Sequence, residues 1–125
     1  MQMPTPGSLE NVTVLLVADA IDSIEPLVES FRAAGAVVVA VRTAALALAY
    51  ADRHSIHAIL VDLRDANWWH TPEIRALRAI TRAPLYGMTV AGEAPDSTSV
   101  AGLFAKPVNA AALVATLSAL PRRRR

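Results

Sequence analysis

Two carboxylates, a hydroxyl and an ammonium stand where apolar runs of the chain end. Asp19 follows Val12-Thr13-Val14-Leu15-Leu16-Val17-Ala18, Asp62 follows Ala58-Ile59-Leu60-Val61, Thr89 closes Pro84-Leu85-Tyr86-Gly87-Met88, and Lys106 follows Leu103-Phe104-Ala105. Short apolar runs rich in β-branched residues read as strands buried on both faces. In open parallel α/β sheets the ligand crevice lies beyond the carboxyl ends of the strands. A single Asp after a strand is as readily a turn or cap residue, but four polar groups arriving at one edge argue for a site. Two carboxylates on adjacent strand ends supply hard oxygen ligands for Mg2+, and a loop carbonyl such as that of Arg64 can add a third. Charge on a phosphoryl group at Asp62 would be offset by the metal and Lys106, with the Thr89 hydroxyl donating to its oxygens. The set is that of a phosphoaspartate site in which Asp62 is the nucleophile. Lys106 is the one Lys beside eleven Arg, and a compact ammonium approaches a single anionic oxygen more closely than a planar guanidinium does.

These groups need strands alternating with helices. The first strand is expected over 12–18. Ser23 then caps a helix whose Ile24, Leu27, Val28 and Phe31 form a core-facing stripe, with Pro26 in its first turn and Gly35 as its stop. Residues 36–41 read as a second buried strand, and Thr43 caps an Ala-rich helix running to about Asp52. After the 58–62 strand, Thr71-Pro72-Glu73 starts a helix carrying Ile74, Leu77 and Ile80 on its apolar stripe. Residues 84–89 give a fourth strand that Gly87 weakens, and 90–102 lose periodicity. Residues 103–105 give a short fifth strand. Asn109 caps a last helix with Leu113, Val114, Leu117 and Leu120 inward, and Val108 and Leu113 take the positions of a hydrophobic staple. The expected fold is a three-layer (βα)5 flavodoxin-like domain with a five-stranded parallel sheet and its fourth helix shortened or missing.

At 125 residues the chain can bury a core without staples, and it contains no Cys, which excludes disulfides, thiolate zinc sites and Cys nucleophiles. Residues 1–10 read as a flexible leader, 11–120 as the domain, and 121–125 as a basic tail or linker start. The N-terminus lacks the features of a secretory signal, and no apolar run approaches the roughly 20 residues of a membrane span. A cytoplasmic protein without a membrane association is expected. Apart from Arg122 to Arg125 the formal charge is −3, which disfavours nucleic acid as a partner of the body. The five Gly form neither G-x-G-x-x-G nor a P-loop, and His54 and His57 lack a third zinc ligand. Trp68 and Trp69 offer either a partner patch or indoles folded on the neighbouring helix.

Leu15-Leu16-Val17-Ala18-Asp19, Phe31-Arg32-Ala33-Ala34-Gly35, Ile59-Leu60-Val61-Asp62-Leu63, residues 84–89 and Lys106-Pro107-Val108 together resemble the receiver domain of bacterial two-component response regulators. The resemblance spans 12–120. It implies that Asp62 accepts a phosphoryl group from a histidine kinase or phosphotransfer protein, and that Asp19, Asp62 and the Arg64 carbonyl hold Mg2+. It also implies that Thr89 is the switch hydroxyl and that Lys106 contacts the phosphoryl group. An output domain, a partner protein or a second copy of the chain would read the state. Such a module is not an enzyme, and no second base accompanies Asp62 for a freestanding hydrolase.

The departures are specific. The family ends its first strand with two acids, and here Ala18 takes the first position and Asp19 the second. Losing one acid weakens Mg2+ binding, and the Arg64 cation adds to the effect. Leu103 replaces the family's aromatic switch three residues before Lys106 and, with Trp68 and Trp69, is a candidate partner surface. The span from Thr89 to Lys106 is short for the family's fourth helix. Two readings remain: a receiver phosphorylated with reduced efficiency, or a phosphorylation-independent pseudo-receiver binding a partner or a small ligand such as a cyclic dinucleotide.

Overall fold

The computed structural model describes residues 9–18, 25–62, 72–90, 102–106 and 109–119. Its elements in chain order are β1 (Thr13–Val17), α1 (Glu25–Ala33), β2 (Val37–Val41), α2 (Ala44–Ala51), β3 (Ala58–Asp62), α3 (Pro72–Ile80), β4 (Leu85–Val90), β5 (Gly102–Lys106) and α4 (Ala110–Ser118). All four strand pairings are parallel, in the order β2-β1-β3-β4-β5. This is the flavodoxin-like order, whose topological switch lies between β1 and β3. The central position of β3 is legible in its composition, since all five residues of Ala58–Asp62 are buried.

Strand alternation divides the core into two layers, one on each face of the sheet. Val14, Leu16, Ala58, Leu60, Tyr86 and Met88 pack with Leu27, Val28 and Phe31 of α1 and Leu113, Val114 and Leu117 of α4. On the other face Leu15, Val17, Ile59, Val61 and Leu85 meet Ala47 of α2 and Leu77 of α3. The stops and starts obey local chemistry. Gly35, at φ 100°, takes the left-handed conformation after α1 at little steric cost. Thr43 Oγ1 accepts the Leu46 N–H at 3.1 Å, and Asn109 Oδ1 accepts the Ala112 N–H at 3.0 Å, so both expected caps are made.

Several expectations shift. β2 is a half-buried edge strand rather than a buried one, because the order of the described strands leaves it with β1 as its one neighbour among them. Ile80 is 44% exposed and leaves the expected apolar stripe, since it is the last residue of α3 and projects past the turn that Leu77 anchors. β4 lies one residue later than 84–89, and β5 extends one residue beyond 103–105 at each end. Leu9, expected within the leader, is fully buried, and its N–H donates to the Ala34 carbonyl at 2.8 Å. A tight turn with Asn11 at φ 67° then leads into β1. Ser23, Ile24, Thr71, Val108, Leu120, the 91–101 connection and the basic tail lie outside the described residues.

Both histidines of the His54/His57 pair serve the fold. His57 closes the lower end of the β1·β3 ladder twice: its N–H donates to the Thr13 carbonyl at 2.9 Å, and its Nδ1 accepts the Thr13 N–H at 3.0 Å. The His54 ring stacks on Tyr50 with centroids 4.0 Å apart. His57→Ala orphans the Thr13 N–H and is expected to cost about 1 kcal/mol, lowering Tm by about 4 °C. Thermal unfolding beside the exposed control His54→Ala measures the difference.

Candidate functional site

Register places the site's backbone. Val17 pairs with Val61, so Ala18 stands level with Asp62 on the neighbouring strand line, and Asp62 itself pairs with Met88. The Ala18 N–H, bonded to the Val41 carbonyl at 2.9 Å, carries the β1 ladder up to this level. Asp62 shares its parity with Ala58 and Leu60 and lies on the α1/α4 face, in a row whose other members, Ala18 and Met88, are apolar and buried. Asp62 is 4% exposed and is the buried charged residue among those described. A carboxylate in such a row gives up much of its hydration, a cost borne only where compensating polar interactions reach it. Asp62 is not without a partner.

β4 and β5 raise the edge further. Thr89 pairs with Ala105, one residue beyond the Asp62 level, and Val90 pairs with Lys106, two beyond. The backbones of Asp62, Thr89 and Lys106 thus step outward along the carboxyl edges of three adjacent strands, with roughly 10 Å across the sheet from first to last. Of the expected site, Asp62, Thr89 and Lys106 are brought to one edge, and Leu103 lies in β5 on the Gly87 register. Asp19, Arg64, Trp68 and Trp69 lie outside the described residues. Among the described residues no group of three His, Asp or Glu assembles.

The donor chemistry of the edge fits a hard cation in part. Asp62 contributes carboxylate oxygens, whereas Ala18, 2% exposed and packed in the α1/α4 layer, contributes none at the level where a second acid would stand beside it. The apolar row was readable from the period-2 alternation of β1 and β4 once their register with β3 was fixed.

Beneath Met88 on the same face lies Tyr86, level with Leu60 and Gly102. Burial pushes its phenol above the ordinary tyrosine value of 10.0, because the phenolate would lose its water. A group raised in the folded state stabilises fully below its unfolded value and loses that contribution as pH rises through the folded one. Tyr86→Phe is therefore expected to keep its folded circular dichroism to higher pH than wild type in an alkaline unfolding titration.

No protein-family model and no curated protein matches the chain. Solved structures do. A two-component response regulator from Clostridium difficile superposes with TM-score 0.73 at 17% identity, covering 87% of this chain and 94% of that one. The receiver domain of a sensor histidine kinase from Pseudomonas aeruginosa, with a magnesium ion coordinated in its active site cleft, gives 0.66 at 28% identity over 85% and 93%. The fold is that of a response-regulator receiver domain. An adenylate cyclase structure from Rhodopirellula baltica also matches the receiver fold, with TM-score 0.71 at 22% identity over 87% and 86%. Asp62 occupies the carboxyl end of the central strand of this fold and is buried there. No helix among the described residues is long and apolar enough to cross a membrane.

Proposed function

We propose that the chain is a signalling receiver of a two-component or phosphorelay system, accepting a phosphoryl group on Asp62 with reduced efficiency. The observation that carries this reading is the buried carboxylate at the end of the central strand of a receiver fold, with Thr89 and Lys106 on the next two strand ends. In the proposed step an Asp62 carboxylate oxygen attacks phosphorus. The new P–O bond forms as the bond to the donor breaks, and the donor leaves with that electron pair, as the imidazole of a phosphohistidine would. Lys106 offsets the charge gained at the edge, and Thr89 donates to a phosphoryl oxygen, so that the loops above β4 and β5 shift and a partner surface changes. Asp62, Asp19 and the Arg64 carbonyl would hold Mg2+, which supplies charge neutralisation when bound. That a similar receiver domain holds magnesium in its active site cleft supports Mg2+ as the cation. A histidine kinase or phosphotransfer protein is the expected donor, and Trp68, Trp69 and Leu103 are candidates for the surface that a partner reads.

One observation favours a second reading. Ala18 packs into the apolar layer at the level of Asp62 and offers no carboxylate beside it there. In that reading the chain is a pseudo-receiver that binds a protein or a small anionic ligand, such as a cyclic dinucleotide, without phosphorylation.

Incubation with a small acyl phosphate and Mg2+, followed by intact mass, separates the two. Wild type is expected to gain one phosphoryl group and Asp62→Asn none, whereas an unmodified wild type supports the pseudo-receiver. Ala18→Asp restores an acid next to Asp62 and is expected to tighten Mg2+ by roughly 10–100-fold in a calorimetric titration. Unchanged affinity would remove Ala18 as the cause of weak metal binding.

A further inference from the structure

β2 has one long side bonded to β1, and among the described residues no strand lies along the other. The Val37 N–H donates to the Val12 carbonyl and the Val41 carbonyl accepts from Ala18, both at 2.9 Å, so odd-numbered residues of β2 turn their backbone groups toward β1. Ladder alternation turns the N–H and C=O of Val38 and Ala40 outward. Edge strands are ordinarily blunted by charge, Pro or a bulge. Val37-Val38-Val39-Ala40-Val41 has neither charge nor Pro, and its register with β1 runs without interruption.

Of the three exposed large apolar side chains among the described residues, two belong to β2 and to the helix that follows it, and the third, Ile80, is on α3. Val37 is 55% exposed and Leu46 is 53% exposed. Val37 has the parity of Val39 and Val41, which pack on the α2 side of the sheet, and it stands at the amino end of β2. Leu46 stands in the first turn of α2, just past the carboxyl end of β2. α2 from Ala44 to Ala51 carries no charged residue at all, a composition usual for a covered helix. On the opposite face α1 bears exposed Glu25 in its first turn and exposed Arg32 in its last.

A two-fold axis beside Val39 serves the open edge and the charges at the two ends of α1 together, while the exposed Glu29 at the middle of α1 falls near the axis. It runs β2 antiparallel to its copy, setting Val38 opposite the partner's Ala40 so that the outward groups exchange both hydrogen bonds. It carries the partner's Val37 to the end of the sheet where Leu46 stands. It crosses the two α1 helices antiparallel, bringing Glu25 toward the partner's Arg32 at both ends, where a parallel arrangement would match like with like. We propose that β2 is the seam of a symmetric dimer in which a second copy of this chain continues the sheet. The proposal goes beyond the phosphoryl reading and does not depend on it.

Sedimentation equilibrium of the full chain without phosphodonor tests it, using wild type, Val37→Lys and Ala40→Pro. The Lys places charge in the seam at an exposed position. The Pro removes an outward N–H without touching the β1 ladder, a substitution edge strands tolerate. Wild type is expected at twice the chain mass and both variants at half that value, with unchanged far-ultraviolet circular dichroism. If Ala40→Pro loses its fold, Val37→Lys alone decides. A monomeric wild type, a dimer that persists in folded Val37→Lys, or an assembly larger than two chains would overturn the proposal. Because no phosphorylation is involved, its failure leaves the phosphoryl reading to its own mass measurement.

Discussion

Asp62 ends β3, a strand buried at all five of its residues, in a row with the buried apolar Ala18 and Met88, and the packing around it keeps it there. A carboxylate in that row is costly by itself. It is held because β3 is pinned on both sides, to β1 through Val17·Val61 and to β4 through Asp62·Met88, and a slip of one residue would turn the whole apolar set of β3 to the wrong face. The two core layers and the His57 closure at the lower end of β3 resist such a slip. What register accomplishes is a polar group delivered to a crevice by an apolar strand.

The same constraint explains the character of the edge. Ala18 and Met88 flank Asp62 at its own level, and the backbones of Thr89 and Lys106 lie one and two residues beyond that level. Replacing an acid by Ala18 is compatible with the fold, since Ala18 simply joins the α1/α4 layer. A receiver fold and a working phosphoryl site are therefore separate properties of this chain.

Much of this was legible in the residues. The continuous apolar run and burial of Ala58 to Asp62, the Thr43 and Asn109 caps, the Gly35 stop and the Leu27, Val28 and Phe31 stripe are local signals, and the structure has each of them. Strand neighbours are non-local, and there the sequence misled: Val37 to Val41 is as apolar as a central strand yet lies at the edge. Ile80 fits the periodicity of α3 but falls at its end, where it is 44% exposed. The place of His57 depended on Thr13, far away in sequence, and no spacing rule predicts that bond. For the site, the convergence of Asp62, Thr89 and Lys106 followed from strand ends alone, whereas the apolar row beside Asp62 needed the register.

The central claim is that the nucleophile is the Asp62 carboxylate itself. Reductive trapping tests it most directly: after exposure to a small acyl phosphate, borohydride converts an aspartyl phosphate to homoserine, which peptide mapping can locate. The account predicts homoserine at position 62 and nowhere else. Trapping at another carboxylate, or none under conditions that label an active receiver, would contradict it.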